Sequence, residues 1–164
     1  MSTTADRAAD WLIDQHLRRR PHAHLPARLS LGSLDEAYLA QARFVARKAH
    51  HCGPAIGWKI ALSNPAMQAM VGLDAPIAGR LMSRQVVGGP AHVRLSAYGR
   101  LALEFEIAVE LARDLPAPDG LCDRATAEAA LGAIRPAFEL VDDRRADYAA
   151  LGGQAHAMIA DNAW

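Results

Sequence analysis

The feature that most constrains the fold is a strict alternation of large apolar with small or acidic side chains over residues 101–112. Successive side chains of a β-strand point to opposite faces, so this segment predicts a long strand with one apolar face and one face carrying Glu104, Glu106 and Glu110. Ala, Leu and Glu are also good helix formers. A helix, however, would scatter the apolar residues around its circumference and would place Glu106 and Glu110 one turn apart as a repulsive pair. The pattern therefore favours a strand.

Glu104 and Glu106 are candidate ligands of a cation, because the alanines beside them leave space above their carboxylates. A third acid, Glu139, lies in a second strand-like run over residues 134–141 with similarly small neighbours. Three carboxylates brought together would repel one another, and oxygen-only ligands suit hard ions such as Mg²⁺, Mn²⁺ or Ca²⁺. A half-solvated antiparallel strand alternates in the same way, and taken alone Glu104 and Glu106 fit that interpretation better.

The first third of the chain predicts helices. Residues 5–20 form the first predicted helix, and Ser33 and Glu36 have the spacing of a capping box ahead of a second helix over residues 37–51. The apolar positions of this second helix recur at roughly helical intervals. They are Leu39, Ala42, Val45, Ala46 and Ala49.

After Pro54 the pattern changes to strands and short elements. Residues 55–62 predict a strand that places Lys59 between the small residues Gly57 and Ala61 on one face. A lysine in such a position is a candidate for binding a substrate carboxylate or moving protons, although a surface lysine is the commoner case. Further along, we expect a short helix capped by Asn64, loops and brief strands over 72–99, a turn over 116–120, and a helix capped by Asp123.

Charge and cysteine content exclude several classes of protein. Lys plus Arg equals Asp plus Glu at 18 each, so no global field attracts nucleic acid or an acidic membrane. No apolar run has the length needed to span a bilayer, and the first residues are polar and acidic, unlike a signal peptide. Cys52 and Cys122 have neither a zinc nor a redox spacing. A cytoplasmic protein without nucleic-acid or membrane partners is expected.

Short motifs follow one another in a fixed order from about residue 55 to the end of the chain. They are Gly57-Trp-Lys-Ile-Ala-Leu62, Asn64-Pro-Ala-Met-Gln68, Gly72-Leu-Asp-Ala-Pro76 with Gly79, Leu103-Glu-Phe-Glu-Ile-Ala108, Arg113-Asp-Leu-Pro116, Arg135-Pro-Ala-Phe-Glu-Leu-Val141 and Ala160-Asp-Asn-Ala163. In this order and spacing they resemble the 2-keto-4-pentenoate hydratase and oxalocrotonate decarboxylase group of the fumarylacetoacetate hydrolase superfamily.

The resemblance implies a site as well as a fold. It implies that Glu104, Glu106 and Glu139 hold a divalent metal, Mg²⁺ or Mn²⁺, which a small 2-oxo acid chelates through its carboxylate and keto oxygens. It further implies that Lys59 is a catalytic and substrate-binding residue and that Asp161 binds substrate. The implied assembly is a homo-oligomer.

The implied fold is α+β, with N-terminal helices followed by a mixed β-rich roll or barrel. We expect residues 1–54 to form an N-terminal helical region and residues 55–164 to form the first part of the β-rich catalytic core. Relatives continue for roughly another half-length beyond the Asp-Asn-Ala motif, so the core is expected to be incomplete at the C-terminus.

The implied activity is that of a hydro-lyase, the hydration of 2-oxo or 2-hydroxydienoate acids such as 2-oxopent-4-enoate in the catabolism of aromatic compounds. The alternatives are decarboxylation of a 2-oxo acid, C–C hydrolysis of an acylpyruvate, and a truncated inactive paralogue that acts as a partner subunit. One position departs from the group: many relatives carry an acid directly after the proline of the Gly-x-Asp-x-Pro run, where this chain has Ile77.

Overall fold

The computed structural model describes residues 2–115, 122–150 and 152–164. Its helices are α1 (Thr4–Leu17), α2 (Leu34–Cys52), α3 (Pro65–Val71), α4 (Arg124–Ala130) and α5 (Ala155–Asp161). Its strands are β1 (Ala55–Ala61), β2 (Ile77–Met82), β3 (Leu101–Leu111) and β4 (Leu131–Asp142). The alternating segment is thus a strand, as its pattern predicts, and the predicted turn over 116–120 lies outside the described residues.

The chain divides into two compact units, one comprising Met1–Gly99 with Arg144–Trp164 and the other comprising Arg100–Asp143. The predicted boundary between residues 54 and 55 is not tested by this division and stays a prediction. Within the described residues, no helix combines the length and apolar character that crossing a membrane requires.

The first unit has its core where α2 packs against α1 and α5. Side-chain caps fix where the two long helices begin. The Thr3 hydroxyl accepts the Asp6 N–H at 3.1 Å, and Ser33 accepts the Glu36 N–H at 3.2 Å. The carboxylate of Glu36 accepts the N–H of Gly32 at 2.8 Å, so the capping box predicted at Ser33 forms only one of its two reciprocal bonds.

The buried face of α2 differs from the apolar positions that the sequence singles out. Leu39 is 43% exposed, whereas the buried side chains of this helix belong to Ala37, Ala40, Gln41, Phe44 and Lys48. Phe44 anchors the face, and the Gln41 amide donates to the carbonyls of Ala78 and Ile159 at 2.9 and 2.6 Å. The inner face therefore includes two polar residues that bind backbone carbonyls of neighbouring elements.

Strands β1 and β2 form an antiparallel pair in which Lys59 lies opposite Gly79. Gly79 has no alternative at this position, because a Cβ there would lie 1.9 Å from the carbonyl oxygen of Asn162. The other face of β1 carries Ile56, Trp58 and Ile60, all more than half exposed. Arg80 covers part of it, with its guanidinium 3.9 Å from the Trp58 ring centroid.

The second unit consists of an antiparallel pair formed by β3 and β4, together with α4, which Asp123 caps as predicted. Phe105 lies opposite Phe138 at the centre of its apolar face, with ring centroids 5.2 Å apart. This face is open to solvent, and Phe105 is 84% exposed. The exposed apolar face of this pair comprises Leu103, Phe105, Ile107, Val109, Ile134, Phe138 and Leu140.

Candidate metal centre

Three carboxylates meet on the face of the β3–β4 pair that lies opposite Phe105. Glu104 is directly across from Glu139 in the strand register, and Glu106 follows two residues later, opposite Ala137. One carboxylate oxygen from each glutamate can be chosen so that all three lie within 4.8 Å of one another. Glu106 and its register partner Ala137 are 31 positions apart in the sequence, and the pairing of the two strands brings together the acids that the sequence singles out.

The chemistry of this donor set fits a hard divalent cation. Like charges directly opposite each other on a sheet are destabilising. A divalent ion held between the carboxylates would reverse that repulsion. All three donors are carboxylate oxygens, which suit Mg²⁺, Ca²⁺ or Mn²⁺ better than zinc. The neighbouring side chains of Ala102, Ala108 and Ala137 are small, so the face has room for further ligands.

Lys59 lies in the other compact unit, on β1, and shares a partly buried face with Gly57 and Ala61 as predicted. Its partner in the register is Gly79. The catalytic and substrate-binding role of Lys59 stays a prediction.

Asp161, the last residue of α5, is held in a buried ion network. Its Oδ1 accepts from His16 Nε2 at 2.5 Å, and its Oδ2 accepts from Arg144 Nη2 at 3.0 Å. Burial opposes ionisation of this carboxyl, but His16 and Arg144 outweigh burial and lower its pKa below the usual range. Both oxygens of Asp161 therefore already have cationic or N–H partners, and its predicted binding of substrate stays a prediction.

Burial lowers the pKa of His16, although the nearby Asp161 opposes this shift. The second ring nitrogen, Nδ1, is buried and has no partner among the described residues. A protonated ring would leave that N–H unsatisfied in the interior, so the neutral tautomer that donates from Nε2 suits the site. The imidazole stacks on the Trp164 ring at a centroid distance of 4.2 Å.

Lys48 is the most unusual buried residue in this unit. Its side chain is fully inaccessible, its Nζ donates to the carbonyl of Ala163, and it lies 4.8 Å from the Trp164 ring centroid. Burial, with a smaller contribution from nearby Lys59, lowers the pKa of Lys48 to about 8, although Cys52 and Asp161 oppose the shift.

Sequence reasoning missed Lys48, His16 and Arg144. A signal for the first two exists in the helical spacing: Lys48 follows Phe44 by one turn, and His16 follows Leu12 by one turn. Each polar residue thus continues a buried apolar stripe. Arg144 lies in a loop where no periodicity applies.

Comparison with curated proteins gives relatives in one group. The chain is 31% identical over 128 residues to 2-keto-4-pentenoate hydratase 2 of Dechloromonas aromatica, an alignment that covers 76% of this chain and 47% of the relative. It is 28% identical over 146 residues to 2-keto-4-pentenoate hydratase of Paraburkholderia xenovorans, covering 87% and 52%. The chain spans about half the length of the curated relatives it matches. No protein-family model matches it.

The predicted resemblance to the 2-keto-4-pentenoate hydratase and oxalocrotonate decarboxylase group is confirmed. Among solved structures, 4-oxalocrotonate decarboxylase from Pseudomonas putida G7, complexed with magnesium and adipate, matches with a TM-score of 0.80 at 23% identity. The match covers 96% of this chain and 58% of the decarboxylase. The same enzyme complexed with calcium and acetate matches with a TM-score of 0.79 and covers 96% and 57%. These matches confirm the α+β fold type predicted for the hydratase and decarboxylase group.

Proposed function

We propose that the chain is a metal-dependent hydratase of small 2-oxo or 2-hydroxydienoate acids such as 2-oxopent-4-enoate, acting in the catabolism of aromatic compounds in the cytoplasm. The observation that carries this proposal is the convergence of Glu104, Glu106 and Glu139 within 4.8 Å on one face of the β3–β4 pair. The names of the curated relatives, all 2-keto-4-pentenoate hydratases, support the reaction class.

The proposed cofactor is Mg²⁺ or Mn²⁺, held by these three glutamates. The solved decarboxylase structures, complexed with magnesium or calcium, support a divalent ion. When bound, such an ion would supply Lewis acidity to the keto oxygen of a 2-oxo acid. The three acids would orient the ion, and the small residues Ala108 and Ala137 would leave space for substrate beside it.

Lys59 and Asp161 are the proposed substrate-binding residues outside the glutamate cluster. An ammonium group on the partly buried face of β1 suits the carboxylate of a 2-oxo acid and a proton transfer to or from its carbon chain. Asp161 would act from within its network with His16 and Arg144, which fixes the position of its carboxylate.

Decarboxylation of a 2-oxo acid is the second candidate, and two observations favour it. Both solved structures reported above are 4-oxalocrotonate decarboxylases. In addition, the position after the proline of the Gly-x-Asp-x-Pro run is Ile77, which is 4% exposed in the core of the first unit and has no proton to exchange. A hydratase of this chain would need another residue for that proton transfer.

Product analysis separates the two candidates. The purified chain, loaded with Mg²⁺, is incubated with 2-hydroxypenta-2,4-dienoate and in parallel with 4-oxalocrotonate. Hydration removes the conjugated absorbance of the first compound without release of CO₂, whereas decarboxylation of the second releases CO₂. Glu106→Gln should abolish either reaction, and Lys59→Ala should weaken binding of a 2-oxo acid while sparing metal binding. If the Mg²⁺-loaded chain consumes neither compound, the proposal is contradicted.

Self-association through the apolar face of the β3–β4 pair is the proposed route to a homo-oligomer. An isolated pair of strands is marginally stable in water. The seven exposed side chains of this face offer on the order of 1,000 Å², which exceeds the few hundred Å² usual on a monomer and matches one side of a stable interface. Asp142, opposite Leu101, is a charged residue at one end of this side of the pair, but none lies among the seven apolar residues, so a second copy of the same face suits them.

A further inference from the structure

The acidic face of the β3–β4 pair carries one cation, Arg135. It is the only lysine or arginine in either strand, and it lies opposite Ala108 on the same face as the three clustered glutamates. The next residue of β4 on this face is Ala137, which lies opposite Glu106. Arg135 is therefore a diagonal neighbour of Glu106, at a spacing of about 7–8 Å that long side chains span.

The guanidinium of Arg135 is held by Glu110 and points to the end of the face away from Glu139. Its Nη2 and Nε donate to the same oxygen of Glu110 at 3.1 and 3.4 Å. The two side chains are 66% and 64% exposed. An ion pair as exposed as this contributes little stability, so a competing carboxylate could take the place of Glu110 at small cost.

Charge gives a reason for such an exchange. Three ionised glutamates and one divalent ion sum to a net charge of −1, and a 2-oxo acid brings a further −1 to the same place. An anion approaching an anionic site requires a compensating cation nearby. The planar guanidinium binds a carboxylate with two parallel donors, a geometry that a lysine ammonium does not offer.

We propose that Arg135 is a specificity-determining residue that binds the carboxylate of a 2-oxo acid at the glutamate cluster, exchanging Glu110 for the ligand. This inference rests on the proposed function, because it requires an ion at the three glutamates. While no ligand is present, the guanidinium stays paired with Glu110 on the same face. Ala108 and Ala137 lie between the guanidinium and the glutamate cluster, and their small side chains leave room for the guanidinium to move towards the cluster.

The test measures Mn²⁺ and pyruvate binding separately in the full chain. Free Mn²⁺ is counted by electron paramagnetic resonance, and pyruvate binding to the Mn²⁺-loaded protein is followed by the relaxation of water protons. Arg135→Gln should weaken pyruvate binding about tenfold or more while leaving Mn²⁺ binding equal or tighter. Glu110→Gln should instead strengthen pyruvate binding several-fold, since it releases the guanidinium. Arg135→Lys should fall between wild type and Arg135→Gln, and circular dichroism should show all three variants folded.

The two variants are expected to shift pyruvate affinity in opposite directions, which a merely structural ion pair would not do. Unchanged pyruvate affinity in Arg135→Gln, with Mn²⁺ binding intact, overturns the assignment of Arg135 and leaves the proposed function standing. Equal weakening in both variants overturns it as well. Failure of the wild-type chain to bind Mn²⁺ overturns the proposed function and this inference with it.

Discussion

Replacing the buried Lys48 by methionine should remove a large pH dependence from the stability of the first unit. The pKa of Lys48 falls from 10.5 to about 8 on folding, chiefly because burial disfavours the charged ammonium. The side chain is fully inaccessible, so solvent does not screen its charge. At about 1.4 kcal/mol per pKa unit, a charged Lys48 costs the folded state about 3 kcal/mol.

The sign of the effect follows from proton binding. Between pH 8 and 10.5 the unfolded chain holds the Lys48 proton and the folded chain has released it, so stability rises with pH through this window. The contribution is complete above the unfolded pKa and is lost as pH falls through about 8. Lys48→Met has no such group, so its stability should lack this rise of about 3 kcal/mol.

At neutral pH the gain from Lys48→Met should be smaller than 3 kcal/mol. The substitution removes the buried charge, but it also leaves the carbonyl of Ala163 without its donor, at a cost of about 1–3 kcal/mol. We expect the variant to be between equal in stability and about 2 kcal/mol more stable at pH 7.

Urea unfolding at pH 7 and pH 10.5, followed by tryptophan fluorescence, measures this difference. The three tryptophans, Trp11, Trp58 and Trp164, all lie in the first unit, so the signal reports on the part that contains Lys48. Arg47→Met is the matched control, since a guanidinium does not titrate in this range and the control should keep the wild-type pH dependence. A rise in stability with pH that is equal in wild type and Lys48→Met would show that Lys48 is not its source.

Three further changes test other parts of the structure. Asp161→Asn removes the carboxylate that pairs with the buried Arg144 and should lower the free energy of unfolding by about 2 kcal/mol in urea; no loss would contradict the network. Gly79→Ala should cost about 1–3 kcal/mol in the same assay, because its Cβ meets a carbonyl oxygen at 1.9 Å, whereas Gly57→Ala, with a nearest contact of 3.6 Å, should cost less. Equal costs would argue against that close approach. Phe105→Ser should shift sedimentation towards monomer, and an unchanged distribution would exclude this face from self-association.

Alternation alone predicts the face that carries the glutamates, whereas their convergence with Glu139 was implied only by the family resemblance. Strict alternation assigns Glu104 and Glu106 to one side of β3, since a strand has a period of two. The same rule cannot choose which residue of a distant strand lies opposite. That Glu139 is the partner of Glu104 depends on the pairing of β3 with β4, which the structure supplies.

Helix faces were harder to predict than strand faces, because alanine is compatible with both sides of a helix. On α2, Leu39 and Val45 gave a plausible apolar stripe, yet Phe44 defines the buried side. Gln41 and Lys48 share that side because backbone carbonyls accept their protons. Helix α5 was not predicted at all. It has seven residues and no side-chain cap, so it depends on packing against α2 rather than on local signals.

The proposed function depends on Glu104, Glu106 and Glu139 together holding one divalent ion. Titration of the wild-type chain with Mn²⁺, counted by electron paramagnetic resonance, tests it directly, with Mg²⁺ as competitor. We expect one ion bound per chain and an affinity about tenfold or more lower in Glu106→Gln. Little change is expected in Glu110→Gln, since Glu110 is an acid on the same strand face that pairs with Arg135. Equal Mn²⁺ affinity in wild type and Glu106→Gln would contradict it.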